Sequence, residues 1–478
     1  MKELVIIAVT LTLLAVAAGA TVRPAAMFSN HAVLQRGIAV PVWGFAENGE
    51  KVTVKFQNQE LSTVAENGKW MVKLAPLSVG GPYTMTISGN NTIELTDILV
   101  GEVWVCSGQS NMQFGLGEAS NAKEAIAAAT DSKIRLLSVP CTTSWTPKDD
   151  IQASWAVCSP ETVPSFSAVG YFFGRDLRKA LDVPIGLINT SWGGTIAETW
   201  TSPDALKTIP ECAPWVADMN EKKPDGPNNP SVLYNAMINP LVPYAIKGAI
   251  WYQGESNVGE ASIYRTLFPT MINSWRTAWG EGDFPFLFVQ LAPFSAIQSE
   301  PQESDWWAEL REAQLMTLKN CPKTGMAVIT DVGDPVDIHP KQKEPVGARL
   351  ALAARKIAYG QDIVYSGPIY KGMKIEGNNV TLYFDHVGGG LIAKDILSLS
   401  KDGELKGFAI AGADKKFVWA TATIVDGNKV VVNNASVANP IVVRYGWAAY
   451  PVVNLYNKEN LPASPFRTDD FSMSAPKQ

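Results

Sequence analysis

The stretch Glu102-Val103-Trp104-Val105-Cys106-Ser107-Gly108-Gln109-Ser110-Asn111-Met112 decides how the chain is read. Val103 to Cys106 is a short apolar run closed by a glycine, the pattern of a buried strand rather than of a helix. Gly108 permits a tight turn, and Ser110 follows it at a strand end with its backbone N–H free to donate. The same alternation continues downstream. Pro184–Asn189, Lys247–Tyr252, Pro285–Leu291 and Gly325–Thr330 read as further buried strands. Between them, Ser167–Leu181, Ala261–Trp279, Asp305–Lys319 and Glu344–Ala358 carry helical periodicity. Strands alternating with helices predict an α/β, doubly wound, mostly parallel sheet over residues 98–361. Ligands of such sheets sit outside the carboxyl ends of the strands, so the loop after each strand is where chemistry is sought.

The flanks read differently. Residues 21–97 show alternating segments such as Val52-Thr53-Val54-Lys55-Phe56 and Thr84-Met85-Thr86-Ile87, with turn signals at Asn48-Gly49, Asn67-Gly68 and Gly80-Gly81-Pro82. This predicts an N-terminal β-sandwich. Residues 362–443 return to a β pattern, in Asn379–Phe384, Phe417–Ile424 and Lys429–Val432. Residues 444–478, with Trp447, Tyr450 and Tyr456 among Pro and Asn, are expected to pack back on the α/β body. Residues 1–20 have the form of an export signal: Lys2, an apolar run from Leu4 to Ala18, and the small residues Ala18-Gly19-Ala20. The destination read from it is periplasmic or secreted. No later stretch approaches the ~20 apolar residues of a bilayer span, so no membrane insertion is expected after cleavage.

Composition narrows the function classes. The chain has 478 residues, 46% hydrophobic and 18% charged, which excludes wholesale disorder. A net charge of −6 without any Lys/Arg-rich run excludes nucleic acid and anionic membrane surfaces as partners. Fifteen Trp suit buried aromatic walls or sugar-stacking platforms. The five Cys (Cys106, Cys141, Cys158, Cys212, Cys321) lack CxxC spacing; an oxidising compartment permits one or two disulfides and leaves at least one thiol unpaired. With only His31, His339 and His386 beside them, no zinc site is supported, and no cofactor is expected. Sequons stand at Asn90, Asn189, Asn379 and Asn434, of which Asn189 falls in a candidate site loop.

Four strand-end loops are unusual in compatible ways. Ser110 follows the first strand. Asn189-Thr190-Ser191-Trp192-Gly193-Gly194-Thr195 follows the second, and its paired glycines bring backbone N–H groups close to a ligand. Trp251-Tyr252-Gln253-Gly254-Glu255-Ser256-Asn257 follows the third; Gln253 or Asn257 would donate to an oxyanion, and Glu255 would orient Ser110 or bind sugar hydroxyls. Thr330-Asp331-Val332-Gly333-Asp334-Pro335-Val336-Asp337-Ile338-His339-Pro340 follows the fifth. Imidazole ordinarily titrates near 6.5, which suits a base for an activated serine, and His339 alone falls at an α/β strand end. Each loop taken singly is an ordinary turn; together they make the parts of acyl transfer.

The segments Gly101–Met112, Ser191-Trp192-Gly193-Gly194-Thr195, Trp251–Asn257 and Asp337-Ile338-His339-Pro340 closely resemble the sialate O-acetylesterase family, part of the wider SGNH (GDSL-like) hydrolases. The resemblance runs from Phe28-Ser29-Asn30-His31 through Arg349-Leu350-Ala351 and into the C-terminal β region. It implies an SGNH-type, flavodoxin-like core and a serine esterase removing acetyl groups from sugars. It implies Ser110 as nucleophile, His339 as base, and an oxyanion hole from the N–H groups of Ser110, Gly193 and Gly194 with the Gln253 amide. The family commonly places the acid three residues before the His, which here is Val336. Asp337, two before, is the acid favoured, with Asp334 the alternative. Asn111, Trp192, Glu255, Asn257 and Arg311 are the candidate substrate contacts; Arg311 would meet a sialate carboxylate, whereas Trp192 or Trp251 would stack on a neutral sugar such as acetylated xylan. Two other classes stand against this reading: a non-catalytic carbohydrate-binding surface protein, and a glycosidase using Glu255 and an Asp.

Overall fold

The computed structural model describes residues 22–217, 226–394 and 403–474; the expected signal over 1–20 lies outside them. The chain is mixed α/β, with one large mixed sheet and further β-rich sheets at both flanks. Seven strands form the centre of the large sheet: β1 (Thr92–Gly108), β2 (Ile134–Ser138), β3 (Ala156–Val157), β4 (Ile185–Ser191), β5 (Gly248–Tyr252), β6 (Phe286–Val289) and β7 (Thr324–Ala327). Their spatial order is β3-β2-β4-β1-β5-β6-β7. All neighbours are parallel except the edge pair β2/β3. That edge pair has no counterpart among the strands expected from sequence; it is short, and one of its two members has only two residues.

β1 has 17 residues and serves two regions. Its first half pairs antiparallel with Gly80–Ser88 and parallel with Val33–Gln35, and its second half is the centre of the parallel sheet. Residues 97 and 98, where the sequence pattern changes, are thus neighbours within one strand. A separate three-stranded sheet (Arg23–Pro24, Val40–Phe45, Lys69–Leu74) completes the N-terminal β region.

Alternate residues of the central strands enter two different cores, as the period of two requires when both faces are covered. Val103, Val105, Ala249, Trp251, Phe286 and Phe288 join one cluster; Trp104, Cys106, Ile250, Tyr252, Leu287 and Val289 join the other. Helices α2 (Ala168–Leu181) and α5 (Glu344–Ile357) cover the second, after α1 (Ser110–Gln113) has opened the helical half of the chain. Helices α3 (Ala261–Trp279) and α4 (Trp306–Asn320) contribute to the first. α2 starts where Ser167 Oγ accepts from Gly170 N at 3.0 Å, and α4 where Asp305 Oδ1 accepts from Ala308 N at 2.8 Å. The tryptophans are largely core: Trp251 is fully buried, with ring centroids 6.1 Å from Trp200 and 6.0 Å from Trp275. The stacking role considered for Trp251 is therefore ruled out by burial. All five thiols are unpaired, so the disulfides that export would permit are not formed. Asn189 is buried, its Oδ1 accepting from Ser191 Oγ at 2.7 Å, which removes it as a glycan site.

The C-terminal β region packs around Val380, Leu382, Ile410, Val430, Val443 and Phe466. Its link to the α/β body is ionic and buried. Arg467 pairs with Glu312 of α4 at 2.8 Å, and Arg444, held by Asp469 of its own region at 2.8 Å, donates to the carbonyls of Gln302 and Glu303 at 3.1 and 2.7 Å. Among the described residues, no helix is long and apolar enough to cross a membrane.

Candidate active site

Sheet register brings three of the expected loops to one place. Gly108 of β1 lies directly beside Ser191 of β4 and Tyr252 of β5, so the chains that leave those strands leave at the same carboxyl edge. Gly108 has φ +137°, and a Cβ there would stand 2.1 Å from the Tyr252 carbonyl oxygen, so only glycine fits this crossing. The loops are then tied together: Trp192 N donates to Gly108 O at 3.1 Å, and Gln109 Oε1 accepts from Gly254 N and Ser256 N, each at 3.2 Å.

Ser110 opens α1, in which the N–H groups of Met112 and Gln113 donate to the Gln109 carbonyl at 3.0 and 2.9 Å. His339 arrives from the loop after β7, and its Nε2 is 2.8 Å from Ser110 Oγ. On the far side of the ring, Nδ1 is 3.5 Å from Asp337 Oδ1. Asp337 Oδ1 also accepts from the His339 backbone N–H at 2.8 Å, which folds the loop so that carboxylate and imidazole face each other. Asp334 does a different job. Its Oδ1 accepts from the backbone N–H groups of Val336 (2.9 Å) and Asp337 (3.0 Å), and these bonds hold its carboxyl below the usual range. Asp337, not Asp334, is thus the carboxylate beside His339. His31, paired with Asp97, and His386, against the Tyr365 ring, lie elsewhere.

Ser110 and His339 share an open cleft of about 650 Å³ with Gln113, Phe114, Glu118 and Lys341. Gly193 is at its edge, where a Cβ would come within 3.2 Å of Ser110 Cβ. The Gly193 N–H, expected to face an oxyanion, donates to Gln113 Oε1 at 2.8 Å. Gly194, at φ +74°, completes the turn with its surroundings open.

Several expected contacts do not reach this cleft. Gln253 is fully buried and spends both N–H donors on Thr195 O (3.1 Å) and Asn257 Oδ1 (2.6 Å), leaving none for an oxyanion. Asn257 is buried as well; its Nδ2 donates to Glu198 Oε2 at 3.0 Å. Arg311 is fully buried, donating to the carbonyls of Leu291, Ala292, Ala448 and Ala449. It clamps the C-terminal segment to the body, and its full burial keeps it from a sialate carboxylate. Trp192 is half-buried and packs its ring on the first core. Asn111 and Glu255 face each other beneath the cleft, Asn111 Nδ2 donating to Glu255 Oε1 at 2.6 Å, so neither is presented to a sugar.

Sequence reasoning missed Gln113, Glu118, Lys341 and Lys343. Gln113 stands one helical turn after Ser110, a spacing that places both on one face and was readable in principle. Lys341 and Lys343 follow His339 by two and four residues, but nothing local says that one faces the cleft and the other is fully buried. Burial holds Lys343 down to about 7. Among the described residues, no three His, Cys, Asp or Glu side chains assemble as a metal site.

Comparison with known proteins gives the cleft a context. Residues 100–356 match the model of the family described as carbohydrate esterase, sialic acid-specific acetylesterase. The chain is 32% identical to the sialate O-acetylesterase of Mus musculus over 94% of each chain. It is 32% identical to that of Homo sapiens, covering 94% of this chain and 93% of that one. The crystal structure of a carbohydrate acetylesterase from Xanthomonas citri superposes with a TM-score of 0.86 at 40% identity, over 94% of this chain and all of that one.

Proposed function

We propose a mechanism from one premise: the chain belongs to the sialic acid-specific acetylesterase family of carbohydrate esterases, and is a hydrolase of O-acetylated carbohydrate. In this reading Ser110 is the nucleophile and His339 the general base. The observation that carries it is the 2.8 Å approach of His339 Nε2 to Ser110 Oγ at the carboxyl edge of the sheet.

His339 takes the Ser110 proton as Oγ attacks the acetyl carbonyl. Asp337 keeps the imidazole oriented and balances the charge it gains. The oxyanion is met by the N–H groups of Ser110 and of the Gly193-Gly194 turn, each such donor lowering the barrier by about 3 kcal/mol. Gln113 must give up the Gly193 N–H for that turn to serve. His339 returns its proton to the sugar oxygen, which leaves as a hydroxyl. Water, deprotonated by His339, then releases acetate and restores Ser110. The strand order β4-β1-β5-β6-β7 supports the SGNH-type, flavodoxin-like reading of the core, the β2/β3 pair being an added edge. Residues 21–97, 98–361, 362–443 and 444–478 are the proposed units around it, and residues 1–20 carry the proposal of export to the periplasm or beyond.

The substrate read first is an O-acetylated sialate, with Lys341 as the ammonium lining the cleft. A second reading, acetylated xylan or another neutral polysaccharide, is favoured by one observation: no arginine lines the cleft among the described residues, and Glu118 and Asp337 do. Acetate release from 9-O-acetylsialic acid and from acetylated xylan, compared as kcat/KM, decides between them. Ser110→Ala is expected to abolish both activities; a variant that released reducing sugar from the polysaccharide instead of acetate would return the glycosidase reading.

A further inference from the structure

We propose that Asn111 and Lys343 are positioning residues that hold nucleophile and base in register, acting through a buried relay of three side chains beneath the cleft. The inference rests on the Ser110–His339 reading above.

Asn111 directly follows Ser110 in the chain. Its Nδ2 donates to the carbonyl of Ile338 at 3.0 Å, and Ile338 directly precedes His339. One amide therefore ties the neighbour of the nucleophile to the neighbour of the base, across 227 positions of sequence. The second Nδ2 hydrogen goes to Glu255 Oε1. Asn111 Oδ1 accepts from Lys343 Nζ. The four residues come from four segments: the start of α1, the loop after β7, the loop after β5, and the entrance to α5.

Lys343 acts with the Ile338 carbonyl and the Glu255 carboxylate to set which way the amide faces. Turning the Asn111 amide over would set its NH₂ against the Lys343 donors and its oxygen against the Ile338 carbonyl and the Glu255 carboxylate. With Lys343 in place only one orientation is favourable, and that orientation ties down Ile338. Lys343 is itself confined: it is fully buried, with Nζ 4.6 Å from the ring centre of Phe114 and 5.4 Å from that of Tyr252. The charges that act on it are those of Glu255, Asp337 and Glu118. Glu255 Oε2 is sealed from solvent and meets no hydrogen-bond donor, so Lys343 is the countercharge of that carboxylate. Burying an ammonium and a carboxylate on either side of one amide is costly, and either group left alone costs more. A merely space-filling role would be met by apolar side chains; the observed set is one that fixes a direction.

The test is Lys343→Met and, independently, Asn111→Ala, each assayed on p-nitrophenyl acetate in the parent and in a His339→Ala background. Small displacements between nucleophile and base are felt in turnover, so kcat is expected to fall about 10- to 100-fold. KM should move less than about threefold, because the relay does not touch substrate. In the His339→Ala background the same substitutions should cost little further, since what they position is already absent. Asn111→Ala keeps the proposal testable where Lys343→Met yields no folded protein. Unchanged kcat, or an equal loss with and without His339, would overturn the relay. Full activity of Ser110→Ala and His339→Ala would instead overturn the mechanism on which it stands.

Discussion

Beside the middle of β1 and the amino ends of β5, β6 and β7 lies a cleft of about 800 Å³, larger than the cleft of Ser110 and His339 at the carboxyl ends of the same sheet. It is lined by charge as well: Arg36, Lys73, Lys247, Lys323, Glu102 and Glu281. What separates the two ends is how their polar groups are satisfied. At the amino end, buried Glu102 is closed off by Gln35 Nε2 at 2.9 Å and Arg36 Nε at 2.5 Å. At the carboxyl end, Ser110, His339 and Asp337 bond to one another in the order proton transfer needs, and stay half-exposed. Volume does not make a site; convergent groups with reactivity left over do. The carboxyl end has them because Ser110 leaves β1 at that edge and the loop after β7 carries His339 and Asp337 across to it.

The sharpest way to break this contrast is at the two aspartates of one loop. Asp337→Ala is expected to lower kcat by about 10²–10⁴-fold, since it removes the group that orients the imidazole. Asp334→Ala, which removes only an acceptor for two loop N–H groups, should lose far less; the reverse ranking in kcat would reassign the acid. At the other end, Glu102→Ala strands Arg36 and Gln35 and should cost about 3–5 kcal/mol in urea unfolding, without altering kcat of the folded fraction.

The two ends should also respond oppositely to pH. Burial raises Glu281 to about 7. Folded protein thus holds that proton more tightly than unfolded chain, and the stability Glu281 contributes is present below about 4.5 and lost as pH rises through 7. Burial lowers Lys343 to about 7, so its contribution is present above 10.5 and lost as pH falls through 7. Between pH 5 and 7, stability relative to Glu281→Gln should fall by about 2 kcal/mol; between pH 7 and 9, stability relative to Lys343→Met should rise by about 2 kcal/mol. Chemical unfolding of the three proteins at pH 5, 7 and 9 checks both signs. The smallest effect is expected at Gln113, which occupies the Gly193 N–H in the free enzyme. Gln113→Ala should lower KM about three- to tenfold with kcat little changed, roughly the worth of one exchanged hydrogen bond. A fall in kcat with KM unmoved would make Gln113 a support of the turn instead of an occupant of it.

Much of the fold was legible locally. The helix expected over Ala261–Trp279 is found with those bounds, and the helix expected over Glu344–Ala358 ends one residue earlier. Continuous apolar runs marked β1, β4, β5 and β6 because both faces of this sheet are covered. The strand Ile134–Ser138, next to the edge, escaped, although four of its five residues are buried, because nothing in its short sequence distinguishes it from a loop lining. At the site, Ser110, Gly193 and His339 stood out in the sequence because each lies in the segment that follows a buried strand and is an unusual residue there. Gln253, Asn257 and Arg311 were misread because residue type gives chemical capacity but not direction: their donors point inward, to Thr195, Glu198 and the carbonyls of the C-terminal segment.

Apolar periodicity and the chemistry of the strand-end loops were enough, by themselves, to predict an α/β core and flanking β regions and to point to a serine–histidine hydrolytic reading. These are local properties, written in spacing and side-chain type. Tertiary structure alone decided that Asp337 rather than Asp334 meets His339, that Gln113 takes the Gly193 N–H, and that Lys343 lies under the cleft while Lys341 lines it. Those outcomes depend on strand register and on where distant donors and acceptors come to rest, and a hydrogen bond has a partner only once the chain has closed around it.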